Sequence, residues 1–352
     1  MEYAGFYSIR PFFIGLANRM EIVMENETMQ AWVLEQPCKL ELKTIAIPQP
    51  NQDQLLVKID RACSCNGSDP GIFHGHPSYA TPCVFGHEGS GKIVKVGSNI
   101  QQFKVGERVF WWFEMGSFAE YQVITPSQTA VFKLPDSIGR EESPVMELVV
   151  AACRALMAYP GSPERKKLLI CGLGPSGQVL LQYARQIGYE YIIGWDLYPK
   201  RRELAVSLGI DAVYDPREIS QEDLAQMPQA DVSVLMYGDD QLPNEEGLDL
   251  VMQATRPYGT LISYGHPEHG AHFSPYLFQS KNLTMCPPEN NLDVIREKGR
   301  KIVEMVSQGQ INVTALISHK TGFSQLRDVF MELMQNPNEY MKVIYHWEKE
   351  ES

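Results

Sequence analysis

Two groups of residues in this chain have the types and spacing to do chemistry. The first is Cys63, Cys65, Asn66, Ser68 and Asp69, followed by Gly86-His87-Glu88. Thiolate, imidazole and carboxylate are the donors that zinc takes, and a histidine beside a glutamate on a glycine-flanked turn suits metal binding or proton transfer. The second is Gly172, Gly174 and Gly177 in G-x-G-x-x-G spacing, with Asp196 further along. That spacing allows a tight turn, a close approach of backbone to a pyrophosphate, and close packing of helix on strand. Pro175 and Ser176 would open the helix, whose free N–H groups and dipole favour phosphates. An acid about 20 residues on can accept hydrogen bonds from both ribose hydroxyls, so Asp196 favours NAD over NADP. Lys200, Arg201 and Arg202 follow. Either they soften that preference, with Arg201 counted as a cofactor-binding residue, or they form a solvated helix start.

Each group needs elements to hold it. Leu168 to Cys171 is a short apolar run suited to a strand buried on both faces. Val179 to Ile187 has helical periodicity, and Tyr191 to Trp195 is a second apolar run ending in Asp196. Asp211 to Tyr214, Ala230 to Met236 and Gly259 to Tyr264 continue as strands between helical stretches, which completes a doubly wound α/β sheet. Tyr237-Gly238 and Ser263-Tyr264-Gly265 end strands on the cofactor edge. Tyr237 and Gly265 therefore either touch the nucleotide or are ordinary strand-end turns. His266, His269 and His272 have the spacing of a loop rather than of a metal site.

Before the glycine loop, Gln30 to Leu34, Lys39 to Thr44, Leu55 to Ile59, GKIVKVG and GERVF read as short strands between Gly and Pro turns, a compact mostly-β domain. The expected division is an extension over 1–28, the mostly-β domain over 29–150 and 292–352, and the dinucleotide domain over 151–291. Helices at 293–308 and 323–335 and a strand over Lys342 to His346 close the chain.

Composition limits the partners. At 352 residues, with 44% hydrophobic and 21% charged residues, the chain suits about two domains with a sizeable core. A net charge of −12 argues against nucleic acid and against an anionic membrane surface. No apolar run approaches the roughly 20 residues that span a bilayer. Seven cysteines in no regular framework suggest reduced thiols in a cytoplasm.

The layout as a whole resembles the medium-chain dehydrogenase/reductase family, the zinc alcohol and polyol dehydrogenases. The matching stretches are MQAWVL, PCVFGHEGSGKIVKVG, KVGERV, GSFAEY, MELVVAACRAL, the glycine loop, TRPYGTLISYG and GFSQLRDVFMELM. They span about residues 29 to 347. The resemblance implies a GroES-like catalytic domain, a Rossmann domain, and a small-molecule alcohol substrate of the kind sorbitol dehydrogenases oxidise. It also implies a homo-oligomer, dimer or tetramer, built through edge strands.

In such enzymes a catalytic zinc is held by a Cys before the G-[ST]-D turn and by the His of GHE, often with a Glu opening a later helix. Here these are His87, with Glu88 as alternate ligand, and Glu147. Counting back from Gly67-Ser68-Asp69 puts Asn66 at the Cys position, whereas counting along the strand puts Cys65 there. Cys65 is preferred because Asn is a poor zinc ligand. Ser68 would relay the hydroxyl proton, Asp69 would orient His87, and Glu88 and Glu147 would offset the metal's charge. Only Phe110 to Met115 separate Val109 from Gly116, so the four-cysteine lobe of many relatives, and with it a structural zinc, is missing. The run Phe110-Trp111-Trp112-Phe113 either lines the substrate pocket or replaces lobe packing. Without zinc, an NAD(P)H-dependent reductase of carbonyls or enones becomes the alternative. A catalytically silent dinucleotide-binding relative is a third reading.

Overall fold

The computed structural model describes residues 27–237, 247–265 and 273–347. His266, His269 and His272, Gly238 and nearly all of the 1–28 extension lie outside them. The N-terminal strands are β1 (Thr28–Gln36), β2 (Lys39–Ala46), β3 (Leu55–Cys63), β4 (Cys83–Val84), β5 (Glu88–Val96), β6 (Arg108–Trp111), β7 (Tyr121–Ile124) and β8 (Val131–Lys133). Next come β9 (Lys167–Cys171), β10 (Tyr191–Trp195), β11 (Ala212–Tyr214), β12 (Ala230–Leu235), β13 (Thr255–Ser263) and β14 (Thr284–Cys286). The last two are β15 (Ile317–Gly322) and β16 (Lys342–His346). The helices used below are α1 (Ser68–Phe73), α2 (Met146–Cys153), α3 (Pro175–Gln186), α4 (Pro199–Ser207), α5 (Gln221–Gln226), α6 (Gly247–Ala254), α7 (Pro275–Ser280), α8 (Leu292–Ser307) and α9 (Leu326–Gln335).

β9 to β14 form one parallel sheet in the order β11-β10-β9-β12-β13-β14. This is the doubly wound order, and its switch point lies between β9 and β12, beyond whose carboxyl ends a nucleotide crevice forms. The run Leu168 to Cys171 is buried, as a strand with helices on both faces must be. α3 starts at Pro175, earlier than the apolar periodicity indicates, because Gly174 is extended and proline at the first position presets the helix. β14 is only three residues of edge strand, too short to show in the pattern.

A second, mostly antiparallel sheet runs β15-β16-β3-β5-β6-β8, with β7 also on β3, and β2-β1-β4 forms a third. Val57, Ile59, Ile93, Val109 and Trp111 fill the space inside the second sheet. β16 returns late in the chain to pair with β3, placing Ile344 opposite Cys63. α9 covers the other side with Leu326, Phe330 and Leu333, the i, i+4, i+7 face of an amphipathic helix. One apolar core joins the two halves: Val149 and Val150 of α2 pack with Leu180 of α3, Ile302 of α8 and Phe132 of β8. Burying each such side chain contributes about 1.5–3 kcal/mol, so α2 fixes one half against the other.

Candidate active site

The glycine loop leaves β9 at the switch point. Gly172 has φ of +102°, and a Cβ there would meet Met236 O at 2.9 Å. At Gly177 a Cβ would stand 2.1 Å from Gly172 O, so only glycine lets α3 close onto the loop. Above Gly174 the nearest atom to such a Cβ is Arg201 Nη1, 3.7 Å off, which leaves open space against the backbone. The N–H groups of Ser176 and Gly177 belong to the first turn of α3, where no intrahelical acceptor exists.

Both carboxylate oxygens of Asp196 are engaged within the chain. Its Oδ2 accepts from Leu173 N at 2.7 Å and its Oδ1 from Tyr198 N at 2.8 Å, so the carboxylate ties the glycine loop to the end of β10. Burial raises its pKa, against the opposing charge of Arg201. It lines a cavity with Trp195, Tyr198 and Tyr237, and Gly265 N donates to Leu235 O at 2.8 Å beside it. The solvated-helix-start reading fails for two of three residues. Arg201 is buried, its guanidinium 4.5 Å over the Tyr198 ring, its Nη1 3.7 Å from Asp196 Oδ2, and its Nε without a partner. Arg202 donates to Asp196 O at 2.6 Å and pairs with Asp215. Only Lys200 is solvated, paired with Glu339.

The other cluster forms where β3, α1 and β5 meet. Cys63 at the end of β3 faces Glu88 at the start of β5. After the strand, Cys65 N donates to Asp69 Oδ2 at 2.8 Å, which folds the chain into α1. Ser68 Oγ donates to Cys65 Sγ at 3.1 Å and lies 3.5 Å from His87 Nε2. Asp69 Oδ1 stands 3.1 Å from His87 Nδ1, turning the other ring nitrogen toward Cys65 and Ser68. Burial opposes a charge on His87, but Asp69 and Cys65 outweigh it and hold the imidazole well above its usual pKa. Cys65, His87 and Glu88 bring one donor atom each within 4.8 Å of one another, the single such group of three among the described residues.

Asn66 turns the other way. Its Nδ2 donates to Tyr340 O at 3.2 Å. Glu147, expected beside the metal donors, stands outside that group: its Oε1 accepts from Phe113 N at 3.2 Å. Burial pushes its carboxyl up to about 7. The aromatic run divides between the core and the neighbourhood of His87. Phe110 and Trp111 are core, with Phe110 stacked on Phe132 at 5.0 Å. Phe113 instead takes a left-handed φ of +48° and sets its ring 4.8 Å from His87. Strain of that kind persists only where surroundings impose it, here through Glu147.

Sequence reasoning missed Lys342, which it took for a strand residue alone. Its Nζ is completely buried, donates to Ser64 O at 2.7 Å and pairs with Glu88 Oε2. Cys63 Sγ donates to that same oxygen at 2.7 Å, leaving Glu88 Oε1 buried without a partner. A lysine beginning an apolar strand, KVIYH, was the available signal. Tyr264 is the second omission as a side chain: its hydroxyl hydrogen-bonds Ser176 of the glycine loop, and Glu147 and Cys65 are among its electrostatic neighbours. Tyr264 thus stands between the nucleotide loop and the metal-donor cluster.

Two family models match the chain. Residues 51–136 match the alcohol dehydrogenase GroES-like domain and residues 175–288 the zinc-binding dehydrogenase domain. The sorbitol dehydrogenase of Bacillus subtilis (strain 168) is 24% identical, over 91% of this chain and 98% of its own. The D-arabitol-phosphate dehydrogenase of Enterococcus avium is 25% identical, over 90% and 96%. In fold, the chain is similar to a protein described as a short chain alcohol dehydrogenase from E. coli CFT073, solved with NADH. The TM-score is 0.80 at 21% identity, covering 92% of this chain and 100% of the other. With its GroES-like half, its doubly wound half and both matches in their expected places, the chain belongs to the zinc-type medium-chain dehydrogenase/reductase family of oxidoreductases.

Proposed function

We propose that the chain is an NAD-dependent dehydrogenase of a secondary hydroxyl on a polyol, sugar or cyclitol, assisted by one zinc. The observation that carries this reading is the gathering of Cys65, His87 and Glu88 within 4.8 Å, with Tyr264 linking that group electrostatically to the glycine loop. The donor set fits the metal: a thiolate, an imidazole and a carboxylate with a fourth position open is a catalytic zinc arrangement. Glu88 Oε1, buried and without a protein partner, is an acceptor that a cation satisfies. Zinc bound there supplies Lewis-acid polarisation of the hydroxyl oxygen, and a bound nicotinamide supplies the hydride acceptor.

The chain's own residues do the rest. Asp69 stands beside His87 Nδ1 and orients the ring, so that a metal taken by Nε2 would displace the proton the ring otherwise holds there. Ser68, half-buried beside Cys65 and His87, takes the hydroxyl proton and passes it outward. Glu147, with its carboxyl near 7, exchanges a proton at neutral pH and offsets metal charge from one shell out. The buried Asp196 carboxylate repels a 2′-phosphate, which supports NAD, while Arg201 draws the pyrophosphate toward Gly174. All seven cysteines are free thiols, which supports a reducing, cytoplasmic setting. Tyr258, Phe273, Tyr276 and Met285 are exposed apolar residues on or beside the β13–β14 edge, which supports assembly through that edge.

One observation favours a second reading. Glu88 Oε2 is already held by Lys342 and Cys63, an arrangement that satisfies half of the carboxylate without metal. A zinc-free NAD(P)H-dependent reductase of carbonyls or enones would keep it so. Metal analysis of Cys65→Ser and Asn66→Ala, with NAD reduction over a panel of polyols, sugars and cyclitols, separates the two. Cys65→Ser should lose zinc and activity while Asn66→Ala keeps both. Full alcohol oxidation by a protein without zinc would sink the zinc mechanism.

A further inference from the structure

A second cavity, about 740 Å³ in volume, lies against β3, β5 and β6 of the second sheet. None of the catalytic or cofactor residues named above lines it. The ladder explains its charge. Lys58 of β3 stands directly opposite Lys92 of β5, and Lys92 stands directly opposite Arg108 of β6. Residues paired across strands share a face, so three cations form one row over three hydrogen-bonded strands, and all three line the cavity. Like charges set opposite one another destabilise a sheet.

Among the described residues, carboxylates relieve that row only in part, through the attraction of Asp60 for Arg108. Of the two acids in the lining, Asp60 is held by Arg140 at 2.9 Å, and Glu120 Oε2 accepts from Gln30 N at 2.7 Å. Among the described residues Lys58 and Lys92 have no ion pair, and Arg108 gives one N–H to Ile138 O at 3.1 Å, leaving further donors. The whole chain carries −12, so a cationic hollow stands against its general field. That field repels an extended nucleic acid but not a small anion drawn into the hollow.

We propose that this cavity binds a phosphate-bearing small molecule, with Lys58, Lys92 and Arg108 as the donors to its phosphates. Lysine meets phosphate as a point charge and arginine as a fork. A single carboxylate would leave two of the three cations uncompensated, whereas a diphosphate neutralises the row. The volume accommodates a nucleotide-sized ester, with Trp347 as one wall.

Inorganic pyrophosphate and ADP are the probes, titrated calorimetrically into protein saturated with NAD so that the glycine loop is filled. Ionic strength is held constant with chloride. Both probes should bind the wild type. The double variant Lys58→Gln/Lys92→Gln should bind them at least about tenfold more weakly. Without ligand, the variant's melting temperature should equal or exceed the wild type's, because the repulsion is gone. Equal binding by the variant, binding no stronger than that of chloride at matched ionic strength, or a lowered melting temperature in the ligand-free variant would each overturn the proposal.

Discussion

Lys342→Met tests whether the buried ion pair organises the metal-donor cluster. Methionine keeps the length and much of the volume of lysine, so the substitution removes charge rather than packing. Both Lys342 and Glu88 are fully buried. Removing one member of such a pair leaves the other charge uncompensated, at a cost of about 3–5 kcal/mol. Roughly 1–2 kcal/mol of that comes from Ser64 O, which loses its 2.7 Å donor. Urea unfolding of metal-free protein reads the change through Trp111, buried in the core of the second sheet. Glu88→Gln should also destabilise, because it strands the lysine. The double variant should cost at least about 2 kcal/mol less than the sum of the singles, because neither charge is then left alone. Additive costs, or a Lys342→Met protein within about 1 kcal/mol of wild type, would refute the reasoning and demote the lysine to a packing residue.

The glycine loop offers a contrast between neighbours. Gly174→Ala, with φ of −62° and nothing nearer than 3.7 Å, should fold within about 1 kcal/mol of wild type yet lose NADH binding, read by fluorescence titration. Gly177→Ala should lose both binding and stability, since its Cβ meets a backbone oxygen at 2.1 Å. Asp196→Ala removes the acceptor of two backbone N–H groups and should cost about 2–3 kcal/mol as well as NAD affinity; retained NAD affinity would contradict its assigned role. Glu114 is half-buried in the aromatic loop, and burial pushes its carboxyl from 4.5 up to about 7. Such a group holds its proton more tightly when folded, so its contribution is fully present below pH 4.5 and is lost as pH rises through 7. Glu114→Gln should therefore gain about 2 kcal/mol at pH 8, after allowing for partial exposure, and almost nothing at pH 4. A gain independent of pH would contradict this account.

The doubly wound half was legible because its signals are local. Apolar runs, glycine spacing and the acid after β10 each lie within a few residues of what they determine, and β9, α3 and β10 follow from them. Where the pattern was weak the physics explains why. β14 is an edge of three residues, and β13 begins at Thr255 rather than Gly259, with a register shift against β12 that no alternation in TRPYG announces. Arg201 and Arg202 sit at the start of α4, where sequence alone suggests solvent, yet the carboxylates that draw them in lie on other elements.

The metal-donor half was harder to read because its decisive contacts are distant in sequence. Two ways of counting pointed one to Cys65 and the other to Asn66, and only ligand chemistry, not counting, favoured Cys65. Asp69 separates them in space, since its carboxylate takes Cys65 N and sets Ser68 against Cys65 Sγ, while Tyr340 O takes the Asn66 amide. The charge that steadies Glu88 comes from Lys342, which only the pairing of β16 with β3 brings near. This division bears on the chemistry. Oε2 of Glu88 is committed to Lys342 and Cys63, whereas Oε1 is buried and unpaired, so a cation at the proposed site would find an unclaimed oxygen. On the proposed reading, metal and Lys342 would use different atoms of one carboxylate and need not compete. That is why Lys342→Met is expected to cost stability first, and to lower zinc content only as far as it lets Glu88 turn.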